Sequence, residues 1–154
     1  MPKEVDVVVV ALTSPVLIGI YDHSSNTLLA EFQSKEKSSE YIPAIFQYIL
    51  KNYTIKTLAF AKGPGSFMAI KVTYVFLKTL SISLDIKLLA QDGFYFNDNT
   101  PIKAIGKLHF IKEHSDIVTK SFDQPQPSVF SLPTTFEKEN FTQDTEPLYI
   151  LPAV

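Results

Sequence analysis

Three apolar runs joined by short polar turns open the chain, and they restrict its fold more than any other feature. The runs cover Val5–Ala11, Val16–Tyr21 and Thr27–Gln33, and the first is a continuous run rich in β-branched residues. Such runs, bounded by turn residues, predict buried strands. Turns as short as Thr13-Ser14-Pro15 connect strands that lie side by side, so the three runs predict an antiparallel meander.

The hydrophobic period then changes to that of alternating helices and strands. Helices are predicted over residues 38–52, where Ser38 or Ser39 can cap the first turn, and over Phe67–Leu84. Short apolar strands are predicted at Thr57–Ala61 and Lys87–Ala90. The order β-β-β-α-β-α-β predicts an α/β fold with a mixed sheet, because a strand after a crossover lies parallel to its predecessor. This is the element order of one half of the actin, hexokinase and sugar-kinase (ASKH) fold.

The last third of the sequence has a different character. Six of the ten prolines fall from Pro101 onward, and no long helical period is present there. Lys103–Lys112 and Ile117–Ser121 predict a hairpin, and residues 123–128 are predicted to be poorly ordered. We therefore predict an actin-like domain over residues 1–92 and a small β-rich or irregular appendage, a reduced C-terminal lobe, over residues 93–154.

Composition excludes several classes of function. Hydrophobic residues make up 45% of the chain and the net charge is −2, so neither disorder nor a basic nucleic-acid surface is expected. The chain has no cysteine, which excludes disulfides and thiol chemistry. Val7–Ala11 is too short for a signal-peptide core, and no stretch is expected to span a membrane. These features predict a soluble, cytoplasmic protein with no membrane association.

Both predicted helices are apolar nearly all round. The first carries few strongly polar residues over its central turns, and the charges of the second are Lys71 and Lys78, one heptad apart. A helix on a sheet needs an apolar stripe on one side and normally has a polar opposite side. A partner subunit is the expected cover for the second side, because a bare apolar patch of this size would aggregate. In the alternative reading, the C-terminal appendage covers the helices.

A glycine-rich loop joins the fourth strand to the second helix. Its sequence is Gly63-Pro64-Gly65-Ser66-Phe67. Gly63 and Gly65 permit close backbone approach, and Ser66 can cap the helix. A helix N-terminus can also accept a phosphate, so these three residues are a possible nucleotide or anion loop. The loop is not a P-loop, because no Gly-Lys-Ser/Thr follows it.

This loop resembles the hallmark of the TsaB (YeaZ) family, which reads Gly-Pro-Gly-Ser-Phe-Thr-Gly-Leu-Arg at a strand-to-helix junction. The first five positions are identical here, Ile70 and Lys71 are similar, and Met68 and Ala69 depart. Three further segments resemble the family, although each has lost one of its characteristic residues. They are Ser38–Ile45, which lacks a histidine, Ala11–Ser14, which lacks an aspartate, and Pro147–Pro152, where Leu151 replaces an arginine.

The resemblance implies a role in the bacterial machinery that makes N6-threonylcarbamoyladenosine (t6A) on tRNA. TsaB-like proteins are inactive relatives of the metal-bearing transferase subunit TsaD, and they pair with it through the two helices that correspond to 39–52 and 67–84 here. An ATPase, TsaE, joins them, and ATP is possible at the complex interface. Without its partner, a TsaB-like chain forms a homodimer, and tRNA contact is expected to be indirect. The predicted partner interface consists of Tyr41, Ile45, Tyr48, Phe67, Ile70, Tyr74, Leu77 and Lys78.

Several residues argue against catalysis by this chain. Actin-like kinases carry a metal-binding aspartate after the first strand, and the corresponding residue here is Leu12, which can neither bind a metal nor act as a base. His23, His109 and His114 are widely spaced and form no ligand motif, so no catalytic or metal site and no cofactor of this chain alone is predicted. Two alternatives remain, a degenerate ATPase or kinase that uses the glycine loop, and a homodimeric interaction protein.

Overall fold

A five-stranded mixed sheet forms the centre of the molecule. The computed structural model describes residues 2–127 and 129–150. The strands are β1 (Lys3–Val10), β2 (Val16–Asp22), β3 (Leu28–Ser34), β4 (Tyr53–Ala61) and β5 (Lys87–Gln91). Their spatial order is β3-β2-β1-β4-β5, with antiparallel β1–β2 and β2–β3 pairs and parallel β1–β4 and β4–β5 pairs. The predicted meander and mixed sheet are confirmed.

Strand β1 lies in the middle of the sheet and is buried on both of its faces. Val5, Val7 and Val9 belong to one core cluster, whereas Val8 and Val10 belong to another. Because successive side chains of a strand point to opposite faces, the two clusters lie on opposite sides of the sheet. A strand buried from both sides has no polar face, which explains its continuous valine run.

Two helices, α1 (Ser38–Asn52) and α2 (Phe67–Leu84), cover the first face. Ile42, Phe46 and Ile49 of α1 are buried, and Phe46 packs edge-on against Phe76 of α2 at 5.3 Å between ring centroids. The prediction that Ser38 or Ser39 caps α1 is wrong, since Lys37 occupies the N-cap position and makes no side-chain capping hydrogen bond. The favourable charge of Glu40 in the first turn remains.

An irregular segment of residues 130–145, which we term the strap, covers the second face. Leu132, Phe136 and Phe141 pack there against the side chains of β1 and β2. The strap crosses the sheet from edge to edge, with isolated bridges at Thr27–Thr135 near β3 and Ala90–Thr142 on β5. The strap is part of the predicted C-terminal appendage, but it lies on the face of the sheet opposite the helices. The alternative in which the appendage covers the helices is therefore wrong for these residues.

Two polar contacts fasten the strap to the sheet. The buried Tyr21 hydroxyl donates to the carbonyl oxygen of Pro133 at 2.7 Å, and burial raises the pKa of this phenol. Asp6, fully buried on β1, has an oxygen 2.7 Å from Nζ of Lys138 in the strap. Its other oxygen lies 3.0 Å from Nδ1 of His23. The buried carboxylate thus faces two cationic or polar partners, as a buried charge requires.

A three-stranded sheet follows β5 and a short 3₁₀ turn at Gly93–Phe96. Its strands are β6 (Ile102–Lys103), β7 (Leu108–Glu113) and β8 (Asp116–Ser121), in that order. The predicted hairpin is confirmed for β7 and β8, but a continuous strand over Lys103–Lys112 is wrong, because residues 104–107 form a turn in which Gly106 has a positive φ. No helix or strand covers residues 123–127, and Ser128 lies outside the described residues. The division of the chain at residue 92 stays a prediction.

Helix α2 is long and apolar enough to cross a membrane, judged by length and composition alone. The prediction that no stretch meets this criterion is therefore wrong. One such helix is weak evidence for a membrane span, because the mostly buried core helix of a soluble protein meets the same criterion, although only 22% of the α2 window is buried here. Here α2 packs on the central sheet through buried residues such as Leu77, and the architecture is consistent with a soluble α/β domain.

Candidate functional site

The glycine loop is shaped by close backbone contacts on both sides. Gly63 has a φ of +124°, and a Cβ on it would lie 2.8 Å from the carbonyl oxygen of Leu148. A Cβ on Gly65 would lie 2.8 Å from the carbonyl oxygen of Leu12. Side chains at either position would force these backbones apart. The two glycines thus fasten the C-terminal segment and the end of β1 to the start of α2.

Two backbone donors at the junction of this loop and α2 are already engaged. The Ser66 N–H donates to the Leu12 carbonyl oxygen at 3.0 Å, and the Ser66 side chain accepts from the Ala69 N–H at 3.4 Å. Ser66 therefore caps α2 as predicted. An anion cradle needs free N–H groups that converge on one point, and these contacts use two of the groups available. The geometry favours the role of a structural turn.

The position of the missing aspartate is filled by a packed side chain. Leu12 is 2% exposed and lies in the core cluster of the second face. A Cβ added to Gly93 would lie only 2.4 Å from the Leu12 Cδ1, which shows how tightly the leucine is enclosed. Leu12 also lines a cavity with Gly65, Ser66 and Gln126, but its own side chain supplies neither a metal ligand nor a base. The structure thus supports the reading of Leu12 as a core residue.

The three histidines lie in unrelated surroundings. His23 contacts Asp6, whereas the buried His109 lies 3.0 Å from the carbonyl oxygen of Lys107 and packs edge-on against Phe122. His114 occupies the β7–β8 turn with a φ of 58°. Across residues 2–127 and 129–150, no group of three or more His, Asp or Glu side chains is arranged to hold a metal ion.

Two of the predicted interface residues are buried within the chain itself. Ile70 is 1% exposed and Leu77 is 0% exposed. Leu77 belongs to the core between the helices and the sheet, and Ile70 packs near Gly63 with the second core cluster. The prediction of an interface role is wrong for both, because a partner cannot contact them without unpacking the core.

The remaining predicted residues lie on separate sides of the helix pair. Tyr48 is exposed and packs edge-on against Phe32 of β3, and Tyr41 lies two turns before it on the same side of α1. Tyr74 of α2 packs against Phe60 of β4 instead. Further predicted residues are the half-buried Ile45, which packs on the core, and the exposed Phe67 and Lys78. Tyr41, Ile45 and Tyr48 follow one side of α1, and Phe67, Tyr74 and Lys78 follow one side of α2.

The C-terminal segment shields one side of α2. Tyr149 packs edge-on against Phe67 at 5.6 Å between ring centroids, and the Leu148 N–H donates to the Lys62 carbonyl oxygen at 2.8 Å. Partial burial, together with the neighbouring Tyr74, raises the pKa of Tyr149. The beginning of the predicted C-terminal motif thus meets the glycine loop, whereas Leu151 and Pro152 lie outside the described residues.

A continuous apolar stripe on α2 faces away from the core. Met68 is 71% exposed, Val75 is 53% exposed and Ile82 is 70% exposed. Val72, which is half-buried, and Thr79, which is exposed, lie between them on the same side. We term these five residues the outer stripe. The predicted partner interface does not include these residues, and its composition stays a prediction.

The fold, but not the sequence, matches known proteins. No family model and no curated protein matches the chain. YeaZ from Pseudomonas aeruginosa superposes on 77% of this chain and 65% of its own chain, with a TM-score of 0.59 and 11% identity. An uncharacterized protein "with similarity to peptidase YEAZ from Pseudomonas aeruginosa" has a TM-score of 0.59 and 10% identity, covering 77% of this chain and 64% of its own.

These comparisons confirm the predicted fold class. The chain has the mixed α/β fold of YeaZ, which belongs to the actin-like ASKH group. It spans less than two thirds of the length of either matching protein. The residue matches in the glycine loop occur at the junction of β4 and α2, where the family resemblance places them.

Proposed function

We propose that this chain is a shortened, non-catalytic TsaB-like scaffold subunit, which binds a TsaD-like transferase in the machinery that makes t6A on tRNA. The outer stripe of α2, within a chain that has the YeaZ fold, is the observation that carries this proposal. Exposed apolar side chains on one helix mark a protein-binding surface, because they cost free energy while they remain in water.

The likeness to YeaZ and the glycine loop support the choice of pathway. The YeaZ fold by itself is compatible with many functions. The Gly-Pro-Gly-Ser-Phe sequence adds a specific match, and here it forms the close turn that joins Gly63 and Gly65 to their neighbours. We propose that a TsaE-like ATPase joins the complex, that ATP binds at its interface and not to this chain alone, and that contact with tRNA is indirect.

The non-catalytic role follows from the packing at Leu12. An aspartate there would be needed for the metal-dependent phosphate chemistry of active relatives in this fold, and the buried leucine offers neither a metal ligand nor a base. The alternative of a degenerate ATPase or kinase is therefore less well supported. A cytoplasmic location is part of the proposal, since the proposed partners act on tRNA.

A charge placed on the outer stripe is expected to abolish the complex. Ile82→Glu should lower the amount of co-purified TsaD-like subunit of the same organism at least tenfold, because burial of an unpaired carboxylate in an apolar interface costs several kcal/mol. The measurement is affinity co-purification of the two co-expressed subunits, with the thermal unfolding temperature of each purified variant as a check on its fold.

Ile105→Glu is the matched control for this substitution. Ile105 is 68% exposed, close to the 70% of Ile82, but it lies in the turn between β6 and β7. The control variant should bind the partner like the unmodified chain. Undiminished binding by a folded Ile82→Glu variant would count against α2 as the binding face, and the absence of binding by the unmodified chain would count against the proposed partner.

A further inference from the structure

The outer stripe has the spacing of a coiled-coil seam. Met68, Val72, Val75, Thr79 and Ile82 follow one another at intervals of four, three, four and three residues. A helix with this spacing presents alternating knobs to one facing helix, as the a and d positions of a heptad repeat do. The opposite side of α2 is buried in the core through Thr73 and Leu77, so the outer stripe, which forms this seam, points outward.

A shallow, mostly apolar surface extends from the seam toward α1. Val72, Phe76, Leu80 and Ser83 form this surface together with other residues of the outer stripe, all of them on α2, and Phe76 rests on Phe46 of α1. A surface of this kind accepts the side-chain ridge of an amphipathic helix.

The charges along the seam have one sign. Lys71 and Lys78 are exposed one heptad apart, each directly before a seam residue, and no Asp or Glu lies within α2. In a coiled coil these flanking positions select the partner and its orientation through ion pairs. A facing helix with carboxylates at its flanking positions would form attractive pairs with both lysines.

A second copy of α2 satisfies this requirement poorly. In an antiparallel, two-fold symmetric pair the flanking positions face one another, so Lys71 of one copy meets Lys78 of the other. In a parallel pair the lysines face neutral residues such as Ser83. The first arrangement is repulsive, and the second gains no ion pair.

We infer that α2 selects a partner helix that carries a 3-4 apolar stripe flanked by Asp or Glu. This inference rests on the proposed function in taking α2 as the binding face, and it adds the chemistry of the partner. It also makes the heterologous complex more stable than a homodimer, because the two lysines oppose self-pairing.

Two synthetic helical peptides test the selection without the natural partner. They share one apolar heptad stripe and carry either glutamate or lysine at the flanking positions. At low ionic strength the glutamate peptide should bind about tenfold more tightly, measured by fluorescence anisotropy, because surface ion pairs contribute modestly and lose strength with salt. The double variant Lys71→Glu, Lys78→Glu should reverse the preference, and Lys71→Gln, Lys78→Gln should remove it.

Self-association provides the second test. The single variant Lys78→Glu gives an antiparallel dimer two attractive pairs, because the new carboxylate of each copy faces Lys71 of the other copy. Its dimer dissociation constant in sedimentation equilibrium should fall about tenfold, whereas the double glutamate variant should resemble the unmodified chain. Circular dichroism verifies that each variant is folded.

The outcomes separate this inference from the proposed function. Equal affinity for the two peptides, or an unchanged preference in the double glutamate variant, overturns the inferred selection of acidic flanking residues even if the TsaD-like subunit binds. Binding to vesicles of phosphatidylglycerol and phosphatidylcholine, with no binding to either peptide, overturns it in favour of a membrane surface. A glutamate preference that reverses with the lysines supports the inference even if the TsaD-like subunit does not bind.

Discussion

Replacement of Phe136 by alanine should lower the free energy of unfolding by about 4 kcal/mol. Phe136 is fully buried, and its ring packs 5.0 Å from the ring of Phe141 and 5.7 Å from that of Tyr21. The substitution removes the central anchor of the strap and leaves a cavity against β1 and β2 that the irregular chain cannot fill. Urea denaturation monitored by circular dichroism measures the loss.

Val129→Ala is the control for this effect. Val129 precedes the strap and is 76% exposed, so its truncation should change stability by no more than about 0.5 kcal/mol. A loss below about 1 kcal/mol for Phe136→Ala would mean that the strap adds little to the core. In that case the sheet would have to be stable with its second face bare.

Replacement of Lys138 by methionine is the second substitution with a large expected effect. Asp6 is fully buried, and Lys138 and His23 are its partners. Methionine keeps most of the length of the lysine stem but removes its charge, so the carboxylate keeps His23 alone. Loss of one partner of a buried ion pair leaves an uncompensated charge, and a destabilisation of about 3 kcal/mol is expected at neutral pH.

A surface ion pair gives the comparison for this prediction. Lys56 lies 3.7 Å from Glu4, and both side chains are largely exposed. Lys56→Met should therefore cost less than about 1 kcal/mol in the same urea titration. Addition of Asp6→Asn to the Lys138→Met variant should recover part of the loss, because no charge then remains buried. Equal costs for the two lysines would show that the Asp6 site is screened by water.

The central sheet could be predicted because its strands have simple signatures. Strand β1 is buried on both faces and is therefore a continuous valine run, and the turns around it contain proline and small polar residues. The strap could not be predicted. Its anchors Leu132, Phe136 and Phe141 are separated by polar residues without a constant period, and their burial depends on distant strands.

The sequence did not single out the residues of the outer stripe of α2. Apolar residues occur on all sides of this helix, so its period does not identify the buried side. The small polar residues Thr73 and Ser81 are buried, and the Ser81 hydroxyl donates to the Lys78 carbonyl oxygen within the helix. A serine hydroxyl satisfied in this way can face a core, and Thr73 is buried although its hydroxyl has no hydrogen-bond partner among the described residues, so polarity at these positions gave no guide to exposure.

Protection of a single cysteine on the outer stripe tests the central claim most directly. The natural chain has no cysteine, so Val75→Cys and Val118→Cys each carry one reactive group, on α2 and on β8 respectively. Val75 and Val118 are exposed to similar extents in the chain alone. With saturating TsaD-like subunit, the rate of maleimide labelling should fall at least tenfold for Val75→Cys and stay unchanged for Val118→Cys. Equal labelling of Val75→Cys with and without the bound partner would contradict the account.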